Sequence, residues 1–295
     1  MDTRQRSMVG YLFLMPFLIG FFVLRLAPML ASAYFSLTNF NMFTPPQFIG
    51  FENYARLLED TRFADSLRVT FTFVFLSVPL QLAFSLAVAT LLKKDRLGIR
   101  IYRACFYLPS LFGGSVAVAI LWRQLFSGAG LFNRFLAVFG IQGTNWIASP
   151  GTALYTLIVL AIWQFGASMV IFLAALKQIP EDYYEASNLD GVGRWKQFTK
   201  ITLPLITPII FFNLVMQIIA AFQAFTPAFI ISGGTGGPLN STLFYSLNLF
   251  ITAFSQFRMG YASAMAWVLL LIIGAITALL FLSSKYWVFY ENESK

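Results

Sequence analysis

The chain of 295 residues is 58% hydrophobic, 18% aromatic and only 11% charged, with a mean hydropathy of +0.73 and a formal net charge of +8. A soluble domain has about a quarter charged residues, so this composition excludes a soluble globular protein and also a disordered one. The absence of histidine and the single cysteine, Cys105, exclude histidine-based acid–base catalysis, His/Cys zinc sites and an internal disulfide.

Six apolar stretches are long enough to cross a bilayer as helices, which requires about 20 mostly apolar residues each. Charged residues or turn-forming runs separate them, such as the glycine-rich run Ser232–Pro238. We therefore predict an all-α membrane protein, with one transmembrane domain over residues 1–295. The predicted spans are residues 8–30, 69–92, 104–122, 152–176, 205–231 and 262–284. A further apolar run, Leu243–Phe257, is short for a span, so a re-entrant or interfacial helix is favoured there.

The positions of lysine and arginine predict the orientation of the chain. With the N-terminus inside, the inner segments carry roughly twice as many basic residues as the outer ones, so both termini are expected in the cytoplasm. Basic residues flank apolar runs instead of forming a nucleic-acid-binding face, and no nucleic-acid partner is expected. Arg25 lies within the first span, where it either snorkels to the outer interface or contacts an anion such as a phosphate group.

The longest inner loop, residues 177–204, has features of a docking element. Pro180 followed by two acids is typical of a helix start, and Gly191 is typical of a helix end, which predicts a helix of about three turns. A plain connector needs only a few residues, whereas this loop has about 28. Because small residues such as Ala186 and Ser187 let another backbone approach closely, a docking surface for a partner is favoured over a connector.

Polar side chains inside the fifth span indicate either a transport path or helix packing. Asn213 and Gln217 lie about 40° apart on a helix, and the two interpretations are equally good for that face. Gln223 lies away from it, flanked by Phe222, Phe225 and Thr226. An amide beside an aromatic ring is typical of a sugar site, because the ring stacks on C–H groups while the amide bonds hydroxyls.

A second pair of this kind lies in the fourth span. Trp163 and Gln164 are a weaker candidate for substrate contact, and packing is favoured for them.

The inner loop also contains a specific motif. Glu185-Ala186-Ser187, followed by Gly191 and then by Ile201-x-Leu203-Pro204, resembles the EAA motif of the membrane subunits of ABC importers, with Ser187 where alanine is common. The chain as a whole is similar to permeases of the carbohydrate-uptake group, of the maltose and glycerol-phosphate type. The resemblance covers nearly the whole chain, including the glycine-rich outer loop and Gly260-Tyr261-Ala262 at the start of the last span.

This resemblance implies a multi-pass permease in the bacterial inner membrane, surrounded by membrane lipid, that imports a carbohydrate by alternating access. It implies four kinds of partner: a second permease subunit, usually a different homologue, two ATP-binding subunits, an extracytoplasmic solute-binding protein and the carbohydrate itself. The chain has no Gly-x4-Gly-Lys-Ser/Thr phosphate-binding loop. It is therefore expected to be a transport subunit and not an enzyme, without a cofactor of its own, while ATP-Mg binds to the partner ATPase.

The resemblance also assigns roles to residues in this chain. The residues predicted to couple the chain to the ATPase are Glu185, Ala186, Ser187, Asp190 and Gly191. In the resembling maltose subunit the matching stretch contacts the substrate, which implies the same role for Phe222, Gln223 and Thr226. Asn213 and Gln217 are further candidates from the residue pattern alone. The predicted substrate path is Phe222, Gln223, Thr226, Asn213 and Gln217.

Three other functions stay open. The substrate could be glycerol 3-phosphate or a polyol instead of a sugar. An ion-driven secondary transporter is less consistent with the sequence, because such proteins place ionisable residues in mid-membrane and these spans contain no acid. A membrane scaffold without a transport path is the remaining alternative.

Overall fold

The computed structural model describes residues 13–289, and the predicted first span at 8–30 therefore begins outside the described residues. Between residues 13 and 289 the secondary structure is helical, with one isolated β-bridge between Thr38 and Phe48. Helices predominate because a helix satisfies its own backbone hydrogen bonds, which lipid cannot do. The chain divides into two compact units: residues up to Asp60 with Leu249–Leu271, and Thr61–Asn248 with residues from Ile272 onward.

The first unit contains helix α1, Phe13–Ser36, and the short helix α2, Glu52–Glu59. α1 continues beyond the predicted end at residue 30 and includes a π-helical turn, Phe22–Leu26, that contains the exposed Arg25. The buried side chain of Asn53 in α2 donates hydrogen bonds to the carbonyl oxygens of Ser36 and Thr38, both at 2.8 Å. These bonds satisfy the free carbonyls at the end of α1 and hold α2 against it.

The second unit begins with α3, Thr61–Leu92, which starts earlier than the predicted span at 69–92. The predicted span at 104–122 corresponds to two helices, which form either one broken span or a re-entrant pair. Helix α4, Ile99–Leu111, and helix α5, Val116–Leu125, meet at an angle of 98°. The bend has a physical reason in the sequence, since Pro109 lacks a backbone donor and Gly114 adopts a φ of +72°. A short helix α6, Leu131–Val138, follows.

The fourth apolar stretch forms two helices, α7, Ala153–Trp163, and α8, Gly166–Gln178, separated by a turn. The loop predicted at residues 177–204 contains helix α9, Asp182–Leu189, which has eight residues and is therefore about one turn shorter than predicted.

The residues after α9 also differ from the prediction of a loop up to residue 204. Helix α10, Arg194–Gln197, continues through a π-helical turn, Phe198–Thr202, into α11, Leu203–Phe222. The wider π-helical turn lies directly before Pro204, which cannot donate a hydrogen bond in a normal helix.

The end of the chain contains three more helices, α12, Thr226–Ile231, α13, Tyr245–Phe250, and α14, Met259–Trp287. α13 occupies the region where a short re-entrant or interfacial helix is expected. Its backbone at Tyr245 donates to the Thr70 hydroxyl at 2.8 Å, so this end of α13 is buried against α3.

Among the described residues, five helices are long and apolar enough to cross a membrane, and the bent pair α4 and α5 makes six if it counts as one span. α3 carries a buried polar stripe along its length, with spacings of four and seven residues that place its members on one face. The stripe consists of Ser66, Thr70, Ser77, Gln81 and Ser85. These side chains make α3 the helix on which the functional region of the second unit is built.

Candidate functional site

Three consecutive apolar stretches are interrupted at one cavity in the second unit. The interruptions lie between α4 and α5, between α7 and α8, and between α11 and α12, and each contributes to the cavity lining through Gly114, Gln164 and Gln223 respectively. A helix break frees backbone polar groups. At membrane depth such groups are tolerated only where they are buried in protein or face a water-filled cavity. The cavity is therefore a candidate passage.

The cavity has a volume of about 350 Å³, and its lining combines six polar side chains and three aromatic rings with small and aliphatic residues such as Leu157 and Ala220. Its polar lining residues are Ser77, Gln81, Gln164, Gln217, Gln223 and Thr226. Aromatic faces come from Phe73, Phe225 and Phe244. The described lining contains no charged side chain. Because each glutamine amide offers both donors and acceptors, the lining can pair with hydroxyl groups without a compensating charge.

Three of the five residues predicted for the path meet at this cavity. Gln217, Gln223 and Thr226 line it, and Gln217 Nε2 also donates to Ser168 Oγ at 3.0 Å. The other two lie outside the lining. Asn213 is buried and donates to the Ile209 carbonyl of its own helix at 2.9 Å. Phe222 is only 2% exposed and packs edge-on against another ring of the second unit.

The sequence analysis did not single out the lining residue Gln81, and it favoured packing for Gln164. It named Phe225 only as a residue that flanks Gln223. The sequence contains a signal for a polar helix face that includes Gln81. This residue lies four positions after Ser77 and four before Ser85 in a charge-free stretch, so the three share one face of a helix. Trp163 lies apart from this cavity and lines a second one, of about 580 Å³, with Trp122.

The predicted coupling residues lie together on helix α9 and at its C-terminal end. Glu185 and Ala186 are exposed, whereas Ser187 is buried and accepts a hydrogen bond from Gln197 Nε2 at 3.0 Å. Gly191 has a φ of +71°, and its N–H donates to Asn188 O at 3.0 Å. Only glycine adopts this conformation readily, so Gly191 ends the helix in the way its sequence position predicts.

A tyrosine connects α9 to two long helices. The Tyr184 hydroxyl and the buried Thr202 hydroxyl are 2.8 Å apart, which joins α9 to the π-helical turn before α11. Lys93, the first residue after the end of α3, also contacts this tyrosine. Its Nζ lies 4.3 Å from the centre of the Tyr184 ring. These two contacts connect α9 to the beginning of α11 and to the end of α3.

An ion-pair cluster lies in the same region, centred on Asp95. Lys177 Nζ lies 3.0 Å from both carboxylate oxygens, and Arg103 lies 2.9 Å from one of them while also donating to Leu92 O at 2.7 Å. The hydrogen bonds from Lys177 and then from Arg103 lower the pKa of the Asp95 carboxyl below its usual value of 3.8. The cluster joins the ends of α3, α4 and α8.

We expect Asp95 to contribute to stability only while it is ionised. Because its folded pKa is lowered, the contribution is present above pH 3.8 and is lost as the pH falls through the folded pKa. The carboxylate is 72% exposed, so the effect should be small. Thermal unfolding of the wild type and of Asp95→Asn should give a higher midpoint for the wild type at neutral pH and converging midpoints in acid. A difference that does not change with pH would contradict this expectation.

Comparison with known proteins decides the family. The model of the family described as "Binding-protein-dependent transport system inner membrane component" matches residues 55–288. The chain belongs to this family. It is thus an inner-membrane component of a transport system that depends on a binding protein, and the family is one of transport subunits and not of enzymes.

Relatives of this permease cover almost its whole length. It is 53% identical to the "Probable ABC transporter permease protein YesP" of Bacillus subtilis (strain 168), over 100% of this chain and 96% of the relative. It is 32% identical to the "Lactose transport system permease protein LacF" of Rhizobium radiobacter, over 96% of both chains.

A solved structure agrees with the fold. A chain of the bacterial alginate ABC transporter, crystallised in complex with an alginate pentasaccharide-bound periplasmic protein, superimposes on the permease with a TM-score of 0.84. The superposition covers 95% of each chain at 22% sequence identity, which supports the ABC permease fold and nothing more specific.

Proposed function

We propose that this chain is the permease subunit of an ATP-driven, binding-protein-dependent importer that moves a carbohydrate across the cytoplasmic membrane. The observation that carries the proposal is the uncharged, amide-rich cavity at three interrupted helices. A transport site requires polar groups at membrane depth, and interrupted helices are the usual way to provide them. The similarity to a lactose permease supports a carbohydrate as the cargo.

In this proposal the substrate passes along Gln217, Gln223 and Thr226, together with Gln81 and Gln164. Each glutamine exchanges a bond with water for a bond with a sugar hydroxyl, and the nearby Phe225 ring stacks on the C–H face of the sugar. Asn213 and Phe222 support the path by packing, since both are buried and neither lines the cavity.

In the same proposal α9 is a cytoplasmic coupling helix that docks with an ATP-binding subunit. The exposed Glu185, Ala186 and Asp190 form the contact surface, while Ser187 and Gly191 hold the shape of the helix. Two such ATP-binding subunits bind ATP-Mg, so the permease itself needs no cofactor. A second permease subunit, an extracytoplasmic solute-binding protein and cytoplasmic positions for both termini complete the proposed arrangement.

Uptake into membrane vesicles tests the proposed path. With saturating binding protein and labelled sugars, Gln217→Ala and Gln223→Ala should each lower the initial uptake rate roughly three- to tenfold, the effect of one lost hydrogen bond. Gln142→Ala is the matched control, because this glutamine is exposed in a loop and does not line the cavity. Wild-type uptake rates in both cavity variants would contradict the path. Uptake that persists without ATP but stops when the ion gradient is dissipated would indicate a secondary transporter instead.

A further inference from the structure

A second cavity in the second unit is lined by residues of α5 and α6 and has no part in the proposed path. Its volume is about 580 Å³, compared with about 350 Å³ for the cavity of the path. We call it the α5–α6 cavity. Its lining combines the polar side chains of Gln124, Ser127 and Arg134 with aliphatic ones such as those of Val118 and Leu121. A ligand with both polar and apolar parts is therefore the best match to this lining.

The polar and apolar parts of the lining are separated along the cavity. Gln124 lies in the last turn of α5, and Arg134 lies in α6. The start of α6 approaches the end of α5 closely, since a Cβ atom on Gly130 would lie 2.2 Å from Leu125 O. Val118 comes six positions before Gln124 in the same helix, or about 9 Å along its axis. The cavity thus has a polar end at the junction of α5 and α6 and an apolar end near the start of α5.

Arg134 gives the polar end a positive charge that no described acid neutralises. The sequence has no Asp or Glu between Asp95 and Glu181, and none of the ion pairs among residues 13–289 includes Arg134. A guanidinium group bonds phosphate oxygens in pairs, with geometry that few other side chains match. An anionic group, and a phosphate above all, therefore complements this end of the cavity.

The exposed side of α6 indicates that the cavity lies at the membrane surface. Leu131, Phe135 and Val138 share one face of α6 and are 60–80% exposed, which is typical of a helix lying in a bilayer interface. Trp163 lines the cavity and is 39% exposed, and tryptophan favours the same depth. In an inner-membrane component, lipid headgroups and the first part of their acyl chains occupy this depth.

Hydrogen bonds fix the segments on both sides of α6. Asn133 Nδ2 donates to Gly128 O at 2.9 Å and to Thr144 O at 2.7 Å, and Asn133 Oδ1 accepts from Trp146 Nε1 at 2.6 Å. One asparagine in α6 therefore joins the segment before the helix to the segment after it. A wall of this kind needs little ordering when a ligand enters, which favours binding.

We propose that the α5–α6 cavity binds an anionic phospholipid, with its phosphate on Arg134 and one acyl chain along Val118 and Leu121. The Gln124 amide lies at the polar end, where it can donate to an ester oxygen of the lipid. A sugar matches this cavity poorly, because the aliphatic end offers no partner for its hydroxyl groups. The inference does not depend on the cargo of the transporter and needs only the surrounding bilayer.

Photo-crosslinking of the complete transporter in lipid vesicles tests the site. The vesicles consist of phosphatidylcholine with a small fraction of phosphatidylglycerol that carries a diazirine in its acyl chain. A parallel set contains phosphatidylcholine with the same diazirine chain. After illumination, peptide mass spectrometry measures the labelled share of residues 116–125. Arg134→Gln removes the proposed phosphate contact, and Arg68→Gln is the matched control, since Arg68 is exposed but does not line the cavity.

We expect phosphatidylglycerol to label residues 116–125 of the wild type about fivefold more than phosphatidylcholine does, the preference that one basic residue gives near a membrane surface. Arg134→Gln should remove this preference, and Arg68→Gln should keep it. Val118→Trp, which fills the apolar end, should lower labelling by phosphatidylglycerol at least about threefold, because a filled cavity has no room for a chain. Val116→Trp should leave the labelling unchanged, since Val116 is exposed on the same helix outside the lining.

Three results would overturn the proposal. Equal labelling of the wild type by the two lipids would mean that these residues contact only ordinary bulk lipid. Absence of label with both lipids would mean that another protein, such as a second permease subunit, covers the cavity. Excess inorganic phosphate should not change the labelling, and a loss of label in its presence would show that the site binds free phosphate instead of a lipid.

Discussion

Replacing Gly191 with proline should reduce ATP-driven uptake to below about a tenth of the wild-type rate. Proline fixes φ near −65°, whereas Gly191 requires +71°, and proline also removes the N–H that bonds Asn188 O. A misfit of this kind in a helix cap costs about 3 kcal/mol, enough to displace the end of α9. ATP hydrolysis by the assembled complex should continue without driving transport, which is measured as ATP hydrolysed for each sugar imported.

Gly193→Pro is the matched control for this experiment. Gly193 lies two positions further along the same segment and has a φ of −69°, a value that proline adopts without strain. This variant should transport at a rate close to that of the wild type. Normal uptake by Gly191→Pro, at equal amounts of permease in the membrane, would show that α9 does not act as the coupling helix.

The second large effect is expected from Gly166→Ala. The added Cβ would lie 2.5 Å from Phe106 O and 2.7 Å from Tyr107 Cα, and both are backbone atoms that cannot rotate away. Overpacking of this kind costs about 1–3 kcal/mol and should separate α4 from α8. We expect a lower midpoint of thermal unfolding for the variant purified in detergent, together with slower uptake.

Gly274→Ala provides the comparison for that measurement. Gly274 lies inside helix α14, and nothing lies within 4 Å of a Cβ atom built on it. Alanine is favoured over glycine in a helix by about 1 kcal/mol, so this variant should unfold at the same temperature as the wild type or slightly above it. Equal midpoints for Gly166→Ala and Gly274→Ala would mean that α4 and α8 do not pack as closely as the structure indicates.

Much of the second unit's inner region could be predicted from local signals. The end of α9 follows from Gly191, because glycine fits the left-handed end of a helix. Pro180 marks the start only approximately, since it lies before the N-cap residue Glu181 and not in the first turn. The bend between α4 and α5 has comparable signals in Pro109 and Gly114, but the predicted span at 104–122 includes both residues without a bend. Counting apolar residues measures the length of a span and not its direction.

For the residues of the predicted substrate path, a residue pattern is not enough to decide which of them line the cavity. Asn213 and Gln217 share a helical face by geometry, yet one bonds the carbonyl of its own helix and the other reaches Ser168 and the cavity. Which of two polar residues on a face meets a cavity depends on the neighbouring helix at that depth. The sequence contains that information only through contacts between distant residues.

By itself, the sequence determined that this chain is a helical membrane protein with a short helix between its fourth and fifth apolar stretches, since apolar length and helix-end residues act locally. Only the tertiary structure decided where the helices break and which amides share a cavity. Gln81 and Gln164 line the same cavity although they lie 83 positions apart in the chain. Which helices meet at a given depth depends on contacts between such distant residues, and no local pattern encodes those contacts.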